Sequence, residues 1–571
     1  MLQRILLAVV VLGIPSLSRA QEGGARALPP GSQIYLRWDG FEKHRAAFDK
    51  TAVGKMLAGD TGKFLKGLVV FIEKQIDNLA GQAPPQVIEV VKELPKVLGV
   101  VGNNGFRVGV EVHKVAPVEI EGVLVFPKAG TEDAGLLPLI KKVAALSGAE
   151  VKEEKVAGRD VFHLPSEHVH LGWWKEGDDA VIVVGTEGPH KAAKRIGSKG
   201  KHLAGNPMYK ELQNFKEFPT WADGYLDIAK LFKVADGLGE EVGKLIEELG
   251  LNGLKSVTFH SGFDGPAERS VILVDIPGPR KGLLKIANRR TIKLADLPPM
   301  PSDLTSFSAS NLDLAALYDA ILGGIEATVK IYFPNQADQV KGGIKIVEDF
   351  LGVKLKEELF DSFGDLVLSY SSPSEGPLGL GTVYMVKVKD SKKLQGALDT
   401  LFNKLGVLPF VPIEVKKNSY RNAELQEIHI GGPGVQGNFQ LPTFVIHEGW
   451  LAISSYPQPI QGYVLRMKGE LPAWKANADL SKRLADFPKE FVGIAVSDPR
   501  PGLKLLFSIA PTGVALLNSF TSQFAPGAQF DVNLIPNALE VTRHLFPNIT
   551  ISTDDGKKVR IETRASLMLP F

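Results

Sequence analysis

His163, Glu167, His168 and His170 form the densest run of metal-type donors in the chain. His168 and His170 alternate, and on a strand alternate residues share a face, where a nearby carboxylate can complete a zinc-like set. Polar residues spaced by two also describe the wet face of a half-buried strand, and no helix-borne His pair supports the metal reading. His429 and His447 stand alone on comparable strands, so a duplicated metal site is not expected.

Other chemistries find less support. Serine catalysis needs a nucleophile on a strained turn with a His in reach, yet no Gly-x-Ser-x-Gly elbow occurs. His260 and Ser261 are adjacent, so on a strand they face opposite sides. Glu240-Glu241, Glu247-Glu248 and Glu357-Glu358 lie in helical patterns beside Lys and read as solvated faces. Gly432 to Gly437 matches a dinucleotide fingerprint literally, but Pro442 follows and no helix opens there, so a long hairpin loop is the expectation. The sequence therefore assigns no catalytic, cofactor-binding or metal residues, and no cofactor is expected. The stretch His190 to His202 carries Lys191, Lys194, Arg195, Lys199 and Lys201 without an acid, a surface a polyanion can use. Trp173-Trp174 on a strand should point one ring inward and one outward.

The chain that must position these groups has 571 residues, 66 Lys plus Arg against 64 Asp plus Glu, and no Cys. Disulfides, Cys-ligated metals and thiol nucleophiles are thereby excluded. Arg4, the apolar run Ile5 to Ile14 and Ser18-Arg19-Ala20 predict an export signal over residues 1–20, cleaved after Ala20, followed by a short linker at 21–27. Removing Arg4 and Arg19 leaves 64 charges of each sign, so neither nucleic acid nor an anionic membrane is expected as an electrostatic partner. No later stretch reads as long and apolar enough to span a membrane. The expected location is periplasmic or secreted.

Four times the sequence repeats a phrase: an apolar residue and Pro, a short strand, then Asp before an amphipathic helix. The copies run from Leu28-Pro29 to Asp39, Phe218-Pro219 to Asp227, Leu297-Pro298 to Asp313, and Phe487-Pro488 to Asp498. Asp at a strand-to-helix junction is an N-cap, and Leu314, Leu317, Ile321, Ile325 and Val329 share one helical face. Strand pairs follow, at Phe106 to Val112 with Ile120 to Phe126, Val257 to Gly262 with Arg269 to Ile276, Leu366 to Tyr370 with Thr382 to Val388, and Ile549 to Ser552 with Val559 to Thr563. The pattern predicts an α+β fold of two duplicated halves, each with antiparallel strands and hairpins covered by amphipathic helices. The first half is residues 28–296, with units of about 28–215 and 218–296. The second is 297–571, with units of about 297–485 and 487–571.

The phrases Leu297-Pro298 to Asp313-Leu314, Phe350-Leu351-Gly352-Val353 to Phe360, and Val386 to Asp390 with Lys393-Leu394 resemble a family of uncharacterised exported bacterial proteins, a domain of unknown function. The resemblance covers 297–469 and, more loosely, 28–195, and implies no substrate, cofactor or site residue. The expected function is a non-catalytic envelope binding or structural protein offering a broad surface or a groove between halves. The alternatives are a periplasmic carrier of a lipid or other apolar ligand, and an envelope hydrolase or metalloenzyme assembled from loops. An envelope protein, a polysaccharide or an apolar ligand would be the partner.

Overall fold

The computed structural model describes residues 26–567 except 80–84, 147, 165, 167, 197–201, 407–412, 431–438 and 525–528. The export signal and the Gly432 to Gly437 loop lie outside these residues. The described chain mixes helix with antiparallel sheet, an α+β fold.

Its first ten strands are β1 (Ile34–Trp38), β2 (Phe106–Val115), β3 (Val118–Phe126), β4 (Lys152–Val156), β5 (Arg159–Leu164), β6 (His170–Glu176), β7 (Asp179–Gly185), β8 (Thr220–Asp227), β9 (Ser256–Asp264) and β10 (Ala267–Asp275). The next ten are β11 (Ser306–Asn311), β12 (Phe363–Ser371), β13 (Thr382–Val388), β14 (Ile413–Tyr420), β15 (Ala423–Ile430), β16 (Phe439–His447), β17 (Trp450–Ser454), β18 (Gly493–Ser497), β19 (Asn548–Asp554) and β20 (Lys558–Ala565). Each hairpin read from the sequence is present, with most ends extended by one to three residues, β13 unchanged and β10 ending one residue early.

All twenty strands join one antiparallel sheet, where the sequence suggested several. From edge to edge the order is β4, β5, β6, β7, β3, β2, β1, β8, β9, β10, then β20, β19, β18, β11, β12, β13, β17, β16, β15, β14. Each strand and the one ten later stand equally far from the central β10–β20 pairing. That pairing runs for eight residue pairs, Glu268↔Ala565 to Asp275↔Lys558, so a continuous ladder runs through the middle of the sheet.

Because neighbouring strands alternate in direction, β1 and β18 run one way while β8 and β11 run the other. The connections after β1 and β18 therefore leave at one edge of the sheet, and those after β8 and β11 at the opposite edge. At the first edge Phe64 of the helix Asp60–Leu79 meets Phe507 of the helix Pro499–Phe524, with ring centroids 6.0 Å apart. At the second edge the helix Glu240–Glu248 packs on Leu314–Tyr332. There a Cβ on Gly324 would lie 3.2 Å from Leu249.

Three repeated aspartates do what the pattern predicts. Asp227 accepts from the Lys230 amide at 3.1 Å, Asp313 from Ala316 at 3.0 Å, and Asp498 from Arg500 at 3.0 Å. Asp39 is instead buried beside Lys43, 3.3 Å away, because Gly40 (φ +76°) turns the chain before any helix begins.

The expectation of one outward ring at Trp173-Trp174 fails because a helix lies on each face of β6. Trp173 and Trp174 are both buried. Trp174 packs in the core beneath Ala192 and Ala193, while Trp173 stacks on Phe162 next to the helix Leu136–Leu146. Neither ring is offered to a ligand.

Behind the central joint Arg280 donates to the Ile276 carbonyl at 2.9 Å and grips Asp554 with both guanidinium nitrogens, one at 2.8 Å, with both side chains buried. Removing one partner of a buried pair strands the other charge, at a cost of about 3 kcal/mol or more. Arg280→Ala is expected to lower the urea midpoint accordingly; a midpoint equal to wild type would remove this pair from the account of the joint.

Candidate functional site

The sequence run His163, Glu167, His168 and His170 does not assemble as a unit. Glu167 lies outside the described residues, and His168 is exposed next to Ser166. His163 joins two residues the sequence did not combine with it, Glu154 and His190. Glu154 lies on β4 opposite Val161, diagonal to His163 on β5, and so shares its face. His190 opens the helix His190–Ile196, and Gly188 (φ +72°) in the turn after β7 brings it back over that face. Nε2 of His163 is 3.1 Å from Glu154 Oε1, and Nε2 of His190 is 2.8 Å from Oε2. The two imidazoles meet edge to face, with centroids 5.4 Å apart. Hydrogen bonds from His190 and His163 hold the Glu154 carboxylate below its ordinary range. Among the described residues this trio gathers donors suited to a metal ion, with ligand atoms all within 4.8 Å of one another.

Two cations of the basic stretch are already paired with acids, and Lys194 is exposed. Arg195 is buried against Glu121 and donates to the Ala27 carbonyl at 3.0 Å, and Lys191 pairs with Glu187 at 2.8 Å. Lys199 and Lys201 lie outside the described residues.

His260 and Ser261 occupy opposite faces of β9, as expected. His260 stands in a cross-strand row Arg107, Arg37, Asp223, His260, Val271, Glu562. Arg37 pairs with Asp223 at 2.6 Å, and His260 stacks flat on Phe215 at 3.8 Å. Burial pushes Asp223 up to about 6 and His260 down to about 4. The two best-defined hollows, of ≈ 460 and ≈ 230 Å³, are lined by other residues, including Arg45 with Asn103 and Arg483 with Phe546. The row lies beneath the segment carrying Phe215.

The largest departure from expectation is at the surface of the helices. Leu314–Tyr332 turns its small residues inward: Ala320 and Ala327 are buried, while Ile321 and Ile325 of the predicted core stripe are exposed. The neighbouring helix Ala337–Leu351 exposes Ile346, Val347 and Phe350, with Ile346 at 71%. At the other edge Leu65, Val69, Val70 and Ile72 are exposed on one helix, and Leu94 and Leu98 on Pro85–Asn104.

Pro499–Phe524 is the extreme case. Leu503, Phe507, Val514 and Asn518 face the protein, whereas Leu505, Leu506, Ile509, Leu516, Leu517 and Phe520 face water, and no charged residue follows Lys504. Over Pro499–Phe520, 22 residues with a hydropathy of 1.4 are long and apolar enough to cross a membrane, contrary to the expectation that no later stretch is. Gly502, Pro511, Thr512 and Gly513 hide the run from a simple reading, yet Pro511 is accommodated inside the helix.

On the other face of β9 and β10, burial beside Phe263 raises the Glu268 carboxyl to about 7, against the lowering effect of the Ser261 hydroxyl. A carboxyl raised in the folded state contributes stability that is complete below its ordinary value near 4.5 and is lost as pH rises through about 7. Glu268→Gln removes that loss, so between pH 5 and pH 8 the variant is expected to gain roughly 2–3 kcal/mol on wild type in urea unfolding. Parallel pH profiles would show that Glu268 is ionised at no cost.

No family model matches the chain, and no curated protein matches it. Among solved structures, it is similar to one described as crystal form I of TP0453, at 12% identity over 48% of this chain and 88% of that one, with a TM-score of 0.22. Crystal form III of TP0453 gives 10% identity, 49% and 89% coverage, and a TM-score of 0.23. Similarity at that level transfers neither fold nor function.

Proposed function

We propose that the chain is an exported, non-catalytic binding protein of the bacterial envelope, formed from two copies of one unit, which acts by laying apolar helix faces on a lipid surface. The carrying observation is the helix Pro499–Phe524, packed on one side and, beyond Lys504, bare of charge on the other, where it presents six large apolar side chains to water. A soluble helix normally confines its apolar residues to the stripe that meets the core. Apolar on both sides, this one is matched to protein beneath and hydrocarbon above. Half-exposed Leu, Ile and Phe side chains gain about 1 kcal/mol each on entering an acyl layer, enough in sum for reversible docking.

Support for two copies comes from the mirrored strand order about β10–β20 and the recurring Asp caps. Helices Asp60–Leu79 and Pro85–Asn104 carry five Lys and five acidic residues, so attraction to lipid charge contributes little and the apolar term dominates. That favours a lipid surface over a polysaccharide. The second reading, a carrier with an enclosed apolar cavity, finds no counterpart in the two best-defined hollows, which are open and bordered by charged residues.

The test is flotation of the untagged mature protein with phosphatidylcholine vesicles. Wild type is expected to float, with binding unchanged up to about 0.5 M salt because screening acts on charges and not on apolar contact. Ile509→Glu with Leu516→Glu is expected to stay in the dense fraction with an unaltered circular dichroism spectrum. Wild type that fails to float overturns the reading. A dimer that the two Glu substitutions split would instead assign the face to a second copy of the chain.

A further inference from the structure

We propose that Glu154, His163 and His190 form a binding site for a single divalent transition-metal ion of the zinc class. The chemistry of the set is borderline, two imidazole nitrogens and one carboxylate oxygen, which suits Zn²⁺ and is too rich in nitrogen for Mg²⁺ or Ca²⁺. The geometry is that of convergence: both Nε2 atoms point at one carboxylate, at 3.1 and 2.8 Å. In a tetrahedral site with bonds of about 2.1 Å, ligand atoms stand about 3.4 Å apart; these donors already lie within 4.8 Å of one another, so side-chain rotation has little distance to close around an ion.

The backbone fixes the three donors from separate directions. Glu154 and His163 are held by the β4–β5 ladder, and His190 by the first turn of the helix that covers the same face. His163 is buried and closes the site from below, whereas His190 and Glu154 reach solvent and leave the outer side open. Three protein ligands with one open position admit a water molecule or an exogenous donor as the fourth. With Nε2 of each imidazole turned to the ion, each Nδ1 carries the proton. A Cβ on Gly188 would be 3.8 Å from Nδ1 of His190 and 3.7 Å from the ring of His170, ordinary contact distances, so it is the left-handed φ of +72° that favours Gly in the turn presenting His190. Lys152, opposite His163 in the ladder, is exposed, with room for its ammonium to swing outward.

The test is calorimetric titration of the untagged, full-length mature protein with zinc chloride after dialysis against chelator. One ion per chain is expected. His190→Ala and Glu154→Gln, both at solvent-exposed positions that folding tolerates, are each expected to weaken binding by roughly tenfold or more, since even loss of a group that only supports a ligand costs about that much. His168→Ala, a few residues away but outside the trio, is expected to bind as wild type does. Zinc should also raise the thermal midpoint of wild type and leave that of His190→Ala in place. The proposal is overturned if wild type takes up no zinc at about 1 mM, or if His190→Ala and Glu154→Gln bind like wild type; the trio is then a hydrogen-bonded clasp and nothing more. Neither result bears on vesicle flotation, because the metal variants change β4 and the helix His190–Ile196 while the flotation variant changes the helix Pro499–Phe524.

Discussion

The pairing of β10 with β20 is the constraint from which the rest of the architecture follows. Eight cross-strand pairs join the tenth strand to the last, making one ladder of what would otherwise be two sheets with bare inner edges. The joint sets β8 and β18 at equal distances on either side, and through the alternation of strand direction it decides which connections share an edge. The helix Asp60–Leu79 touches Pro499–Phe524, and Glu240–Glu248 touches Leu314–Tyr332, because the ladder delivers their strands to the same side. Arg280 and Asp554 lock the joint from behind, an ion pair whose value lies in its burial and in the carbonyls that share its hydrogen bonds.

With the core supplied by the sheet, the helices at its edges are relieved of the usual demand that their large residues face inward. Phe307, Leu368, Tyr370, Met385, Trp450 and Tyr463 make one core, and Tyr35, Val123, Trp174 and Val183 another, all on strands or on helices that lie flat against them. The long connections add Ala320 and Ala327 to the interior and keep Ile321 and Ile325 outside. In such a molecule the part that binds can be separated from the part that holds the fold, so apolar residues at the edge can be exchanged with little effect on the sheet.

Much of this was legible in the residues. Alternation and turn chemistry located four of the hairpins, since both are local signals, and the Asp that precedes Leu314 was readable as a cap for the same reason. What escaped is non-local. Which face of Leu314–Tyr332 meets protein is settled by Leu249 and Leu283, residues distant in sequence. The burial of both Trp173 and Trp174 required knowing that a helix lies on each side of β6. His163 was visible as a possible ligand, but its partners were not: Glu154 reads as one acid in a charged run, and His190 as the start of a basic stretch. The one available signal was the turn at Ala157-Gly158, whose register places residue 154 diagonal to residue 163.

The two outermost strands, β4 and β14, expose one unpaired backbone ladder each, the usual invitation to open-ended polymer growth. Both are studded with charge: Lys152, Glu153, Glu154 and Lys155 on one, Glu414, Lys416 and Lys417 on the other. An incoming strand would have to strip water from these groups and accept like charges at close quarters. A sheet already twenty strands wide thus ends on two strands whose charges oppose further edge pairing.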